Sequence, residues 1–243
     1  VIHSALDQAI KEKYIQVNVS EAVKLPKNPK KEMRVLKTEN VNTFLQAAKS
    51  SRYYTAFMLD LYTGLRKGEL LGLRWKDIDL KNGKIKVVQQ LIIEKGKHVL
   101  REVKTEESQN RVISIPEEVV QELKDHKKKQ AEERKELGLS EIYDGLVFTS
   151  ELGTFVQTRN FDRCFKAILK KANIEKLNLH GLRHTFALLS LQAGTDIKTL
   201  QNDLGHKKIT TTLDEYGHVN DEMKRDASNR RSQLMKSLLS KNQ

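Results

Sequence analysis

Residues 180–219 read HGLRHTFALLSLQAGTDIKTLQNDLGHKKITTTLDEYGHV. Apolar residues recur at helical spacing over 182–193 and again over 197–204, with Leu182, Phe186, Leu189 and Ala193 predicted on one core-facing stripe. Gly205 stands directly after the second helix, where a residue without a Cβ can take the left-handed conformation that ends it. Thr210 or Thr211 can cap a third, short helix that stops at Gly217 and carries Tyr216 on its last turn. Short helices joined by tight turns predict helical packing for this part of the chain.

Working outward, the same period continues. Thr38 is a predicted cap for a helix carrying Val41, Phe44 and Leu45, and Phe57, Leu61 and Leu65 lie on the next one. Further helical periods cover 119–137, 161–171 and 223–239. Residues 84–115 differ: IKVVQQLII, HVLREVKT and RVISI are β-branched runs separated by EKGK and EESQN, which predicts a small antiparallel meander. The fold class expected is α+β, predominantly helical, with one small three-stranded antiparallel sheet. At the start of the chain Ile2, Leu6 and Ile10 share a helix face, and the run around Pro26 and Pro29, with Lys24, Lys27, Lys30 and Lys31, reads as a basic linker. The chain opens on Val1 inside a helical pattern, so native sequence upstream of it is expected.

Composition narrows the function classes. With 44 Lys+Arg against 32 Asp+Glu the formal net charge is +12, which favours a polyanionic partner such as nucleic acid. Hydrophobic residues make up 38% and charged residues 31%, enough apolar material for a globular core rather than a disordered chain. Cys164 is the one cysteine, so neither an internal disulfide nor a thiolate metal cluster is available, and a reducing cytoplasm fits. No apolar run approaches the ~20 residues of a membrane helix, and no signal peptide opens the chain. There is no internal repeat and no Gly-rich phosphate loop.

Several residues carry potential chemistry. His180 and Arg183 are three apart, about one turn, near a predicted helix N-terminus where unpaired N–H groups favour an anion. The pair is open to three readings: an anion site, a structural cap with a surface ion pair, or a metal site using His180 and His184. The zinc-protease pattern requires Glu at the second position, where this chain has Gly181. Tyr216 follows Leu213 and Ile209 at helical spacing, so it is either a core tyrosine or a mobile nucleophile. Arg66, in TGLRKGELLGLRW, is flanked by Gly64 and Gly68, small neighbours that permit close approach.

Taken together, TGLRKGELLGLRW, VKTEESQNRVISIP, HGLRHTFA and LGHKKITTTLDEYGHV resemble the tyrosine recombinase, or phage-type integrase, family in order and spacing, over about residues 34–220. The resemblance implies residues 1–23 as the C-terminal part of a helical core-binding domain, 24–33 as the basic linker, and 34–243 as the catalytic domain with its C-terminal helix. It implies that Arg66 and Arg183 clamp a scissile phosphate and that Tyr216 attacks it to give a 3′-phosphotyrosine. Lys104 would protonate the leaving 5′-oxygen, His180 would act as base or hydrogen-bond the phosphate, and His206 would donate to a non-bridging oxygen. Glu69 matches the acidic position that steadies the site, and His184 is implied to be structural. Ser108 and Arg111 are three apart where the family often has two, which leaves Lys95 and Lys97 in the preceding turn as alternatives to Lys104. The implied partners are double-stranded DNA attachment sites and other copies of the chain in a tetramer coupled by the C-terminal helix. No cofactor, metal or ATP is implied, and the location implied is cytoplasmic, at the nucleoid. The activity implied is integration or excision of a phage or mobile element. A type IB-like topoisomerase, a DNA-binding protein with a decayed site and a metal-dependent nuclease are the competing readings.

Overall fold

The computed structural model describes residues 2–23, 34–103, 111–136, 138, 145–207 and 210, together with 228, 231, 232, 235, 236, 238 and 239. The expected linker over 24–33, Lys104 and the helix predicted to carry Tyr216 lie outside the described residues, as does most of the predicted segment 223–239. The chain divides into two compact units, residues 1–32 and 33–243. In the first, helix α1 (Ile2–Lys11) is followed by a 3₁₀ turn over Val19–Ala22. Asn18, 3% exposed, ties the two by donating to Asp7 Oδ1 at 2.6 Å while accepting from the Ser20 backbone N–H at 3.0 Å.

In the second unit, α2 (Thr38–Ala48), α3 (Tyr54–Thr63) and α6 (Thr158–Lys171) meet through aromatic rings. Phe57 stacks on Phe161 at 4.8 Å and Phe44 meets Phe165 edge-on at 5.6 Å, the offset and T-shaped contacts that aromatic quadrupoles prefer. Thr38 is the first residue of α2 rather than its cap. Lys37 occupies the cap position without a side-chain hydrogen bond. Helix α3 ends at Gly64, whose φ of +57° is left-handed; a Cβ there would stand 2.3 Å from Cδ1 of Phe186. Both the backbone turn and the space therefore demand glycine.

The β region departs from a simple meander. Strands β1 (Ile78–Asp79), β2 (Lys84–Val87) and β5 (Arg111–Ser114) form a three-stranded sheet in the order β1-β2-β5, and β3 (Gln89–Glu94) pairs with β4 (Lys97–Glu102) as a separate hairpin. The long run IKVVQQLII breaks at Val88: its first half pairs with β5 and its second half with β4. The cause is α4 (Lys67–Leu71), which sits directly on β3. A Cβ on Gly68 or on Gly72 would come within 2.8 Å of the Leu91 backbone, and Gln89 Nε2 donates to the Gly72 carbonyl at 2.8 Å. The hairpin turns through Lys95 and Gly96, with φ of 48° and 77°, a pair of left-handed residues that suits a two-residue turn.

Helix α5 (Glu117–Glu136) covers the other side of α3. The last two described helices are α7 (His180–Gln192) and α8 (Ile197–Leu204). Phe186, Ala187 and Leu191 of α7 pack with Leu200 and Leu204 of α8 in a small core of their own. The predicted stripe on α7 is only partly realised: Leu182 and Phe186 are buried, Leu189 is half-buried and Ala193 is exposed. Gly181 and Thr185 seat the start of α7. A Cβ on Gly181 would be 2.8 Å from the Arg34 carbonyl, and Thr185 Oγ1 accepts from the Leu36 backbone N–H at 2.8 Å. Helix α8 is stopped by Gly205 in the left-handed region, as its sequence predicts, and is capped at its start by Asp196. Among the described residues no helix is long and apolar enough to cross a membrane.

Candidate active site

The final carbonyls of a helix have no N–H partners within it, and they carry the negative end of its dipole. At the end of α8 each of three consecutive carbonyls receives a different arginine. Asp203 O accepts from Arg111 Nε at 2.9 Å, Leu204 O from Arg183 Nη2 at 2.6 Å, and Gly205 O from Arg66 Nη2 at 3.0 Å. Residues from three distant stretches of sequence thus converge immediately before His206.

Arg183 is the deepest, 2% exposed, and its Nη1 donates to the Gly64 carbonyl at 2.6 Å. The reading of Arg183 as a surface ion-pair partner does not hold: the side chain is buried where α3, α7 and α8 meet. Asp60 lies buried near it, with no hydrogen-bond partner for its Oδ1 among the described residues. Burial pushes the Asp60 carboxyl well above the usual range, Arg183 pulls it down and Glu69 pushes it up.

Arg66 is half-buried and precedes α4. Glu69, 1% exposed, accepts from the Arg66 backbone N–H at 2.9 Å and from Arg66 Nη1 at 2.9 Å. The same carboxylate accepts from Arg111 Nη1 at 3.1 Å and Nη2 at 2.6 Å, a bidentate pair. Burial pushes the Glu69 pKa up, but the hydrogen bonds and charge of Arg111, with those of Arg66, outweigh it and bring the group to about 2. Glu69 is therefore an anion shared by two guanidiniums.

Three histidines border the arginines. His180, at the start of α7, is exposed, and His184 and His206 are half-buried. The rings of His180 and His184 meet edge to face at 4.5 Å. Burial lowers the His206 pKa to about 4, with the charges of Arg183 and Arg66 adding to the effect. Burial lowers that of His184 to about 4 as well, with His180 and Arg183 contributing, and His180 moves down through burial, Arg183 and Arg66. All three imidazoles are thus disposed to be neutral at pH 7, able to accept or donate a hydrogen bond. His206 is held from both sides by Gln201: its N–H donates to the Gln201 carbonyl at 3.1 Å, and Gln201 Nε2 donates back to its carbonyl at 2.9 Å.

Arg66, Glu69, Arg183 and His206 are joined through this hydrogen-bonded network, and His180 adjoins it. Lys104 and Tyr216 lie outside the described residues. Lys95 and Lys97 are exposed at the hairpin turn, and Lys95 is four residues past Leu91, where β3 meets α4, about 13 Å of strand. Val103, by contrast, is buried at the base of the hairpin and bonds Val88 at 3.2 Å.

Arg111 and Gln201 are not among the site residues expected from the sequence. A signal existed for each. In RVISIP the inward positions Ile113 and Ile115 put Arg111 on the same face, where an arginine requires an anionic or carbonyl partner. Gln201 is four residues after Ile197 and adjoins Leu200 on the buried face of α8.

Arginines and neutral histidines gathered at the end of a helix offer the kind of donors that an oxyanion accepts. The model of the phage integrase family matches residues 34–223. This chain belongs to that family, and the matched region is a tyrosine recombinase catalytic domain. It is 31% identical over 236 residues to a XerC-like tyrosine recombinase of Caldanaerobacter subterraneus, covering 90% of this chain and 60% of that one. It is 29% identical over 231 residues to the ICEBs1 integrase of Bacillus subtilis, covering 94% of this chain and 62% of that protein. This chain therefore spans less than two thirds of the length of these relatives. Among solved structures, the Tn1549 transposon integrase in complex with transposon right end DNA superimposes with a TM-score of 0.78 at 28% identity, over 95% of this chain and 76% of that one. The XerA recombinase superimposes with a TM-score of 0.64 at 27% identity, over 94% of this chain and 73% of that one.

Proposed function

We propose that this chain is the catalytic part of a site-specific DNA recombinase that cuts and rejoins strands through Tyr216, integrating or excising a phage or mobile element. The observation that carries the reading is the meeting of Arg66 and Arg183 on the adjacent carbonyls Gly205 O and Leu204 O, one residue from His206. Both are planar cationic forks of the kind that pairs with the oxygens of a phosphodiester.

In this mechanism the Tyr216 phenol oxygen forms a bond to phosphorus, and the bond to the 5′-oxygen breaks. His180, neutral at pH 7, takes the phenol proton, and Lys104 gives a proton to the departing 5′-oxygen, which leaves as a hydroxyl. Negative charge that builds on the non-bridging oxygens is met by Arg66 and Arg183, with His206 donating a hydrogen bond. Reversal by another 5′-hydroxyl reseals the strand without loss of the phosphoester, so no ATP, metal or other cofactor enters the cycle. The assignment of Lys104 over Lys95 and Lys97 is supported by its flanks: Val103 lies at the hairpin base, and Arg111, at the other end of 104–110, bonds Glu69.

The similarity to the ICEBs1 and Tn1549 integrases supports a mobile element as the substrate source. The same reading makes double-stranded DNA the partner and the cytoplasm, at the nucleoid, the location. It also assigns exposed Met235, Leu238 and Leu239, at 57%, 52% and 66%, to contact with a neighbouring copy in a DNA-bound tetramer. The test uses a library of nicked duplexes with randomised sequence, in which the strand 5′ to the nick diffuses away after cleavage. Wild type captures members of the library in a protease-sensitive covalent adduct; Tyr216→Phe binds the same duplexes and captures none. Equal capture by Tyr216→Phe would overturn the reading.

A further inference from the structure

The proposed clamp requires Arg66 to carry a net positive charge toward the phosphate, yet Arg66 is bonded to a buried carboxylate. Glu69 is 1% exposed and ionised, so a simple Arg66–Glu69 pair would be neutral. Arg111 changes this balance. Its side chain is 5% exposed, and it spends Nη1 and Nη2 on Glu69 and Nε on the Asp203 carbonyl. With two guanidiniums and one carboxylate the triad carries +1.

We propose that Arg111 is a positioning residue for the phosphate clamp: it shares the charge of Glu69 so that Arg66 stays cationic, and it fixes Arg66 relative to the end of α8. This inference rests on the reading of the chain as a tyrosine recombinase. Geometry gives Arg111 both tasks. It opens β5, which packs on α8, and its fork spans α4 and α8 at once. Asp203, Leu204 and Gly205 are consecutive, so a shift at Asp203 moves the carbonyls that hold Arg183 and Arg66, and with them His206. A lysine would keep the charge but, as a point donor, could not serve both acceptors in the same geometry.

The experiment measures the single-turnover rate of adduct formation at saturating DNA, using a nicked duplex captured by wild type from the randomised library. A second duplex carries a methylphosphonate at the cleaved position, which replaces one charged non-bridging oxygen by a neutral methyl. Arg111→Met is expected to cleave the ordinary duplex on the order of 10²-fold more slowly, the scale of a small misplacement at a reacting centre. Its affinity for DNA is expected to stay within about threefold of wild type, because the residue is buried and never meets the duplex. On the methylphosphonate duplex the deficit is expected to shrink to about tenfold or less, and in the same direction as for Arg66→Ala. Arg111→Lys should fall between wild type and Arg111→Met. The pair Arg111→Met with Glu69→Gln, which restores a charge of +1, should recover part of the rate.

If Arg111→Met and Arg111→Lys both cleave at the wild-type rate, the inference is wrong. It is equally wrong if their losses are the same on both duplexes, since a merely loosened fold does not distinguish a charged oxygen from a methyl. If Arg111→Met fails to fold, Arg111→Lys and the double variant decide by the same two ratios. Absence of an adduct with wild type would instead remove the functional reading itself, and this inference with it.

Discussion

Arg183 Nη2 donates to the carbonyl of Leu204 at 2.6 Å, so a cation on α7 closes the last turn of α8 from inside the protein. A hydrogen bond of this kind, charged and buried, couples stability to chemistry. Arg183→Ala should destabilise the fold by about 3 kcal/mol, from two charged hydrogen bonds lost and two carbonyls left without them. It should also slow adduct formation by ~10²–10³ at saturating DNA. Urea unfolding and single-turnover cleavage measure the two. A stable but inactive Arg183→Ala would mean that the carbonyl contacts hold little of the fold together.

Glu69 has a folded pKa of about 2 against an ordinary 4.5. The group is depressed, so its contribution is fully present above pH 4.5 and is lost as pH falls toward 2. The shift corresponds to about 3 kcal/mol. Stability of the wild-type chain should therefore drop across that window, and Glu69→Gln should show a shallower drop over the same range. Identical acid profiles would show that the carboxylate is not held by the two arginines in solution.

His206 acts with the same sign, in a higher pH window. Its folded pKa of about 4 lies below the ordinary 6.5, so unfolding is favoured as pH falls from 6.5 toward 4 and is unaffected above it. Between pH 7.5 and pH 5, His206→Gln should lose about 1 kcal/mol less stability than wild type, after discounting for the half-buried ring. NMR titration of the imidazole gives the direct reading, and a midpoint near 6.5 would contradict it.

Gly64→Ala tests the turn that presents Arg66 and accepts Arg183. The added methyl meets Phe186 at 2.3 Å in a left-handed residue, and the cost should be about 2–4 kcal/mol from strain and overpacking together. Thermal unfolding checks it; a change below about 1 kcal/mol would mean that α3 and α7 separate more easily than their packing suggests.

The helices were legible where period and punctuation agree: Gly205 stops α8 after an apolar run, whereas Gly64 ends α3 before Leu65, which the apolar period alone places on that helix. The sheet was less so. IKVVQQLII is one β-branched run by composition, and only the approach of α4 through Gly68 and Gly72 divides it between two partners. Among the candidate site residues, Arg66, Glu69, Arg183 and His206 could be assembled from motifs, and the fold brings them together at the end of α8. The burial of Arg183 escaped sequence reading because helical spacing gives a face and not a depth. Arg111 escaped because its partner, Glu69, lies 42 residues earlier and meets it only through the tertiary fold.

The most direct test of the whole account is mass spectrometry of the covalent complex between the wild-type chain and a captured nicked duplex. After protease and nuclease digestion, the account predicts a nucleotide remnant attached through its 3′-phosphate to the oxygen of Tyr216. A remnant on another residue, or cleavage of the duplex with no protein-linked nucleotide, would contradict it.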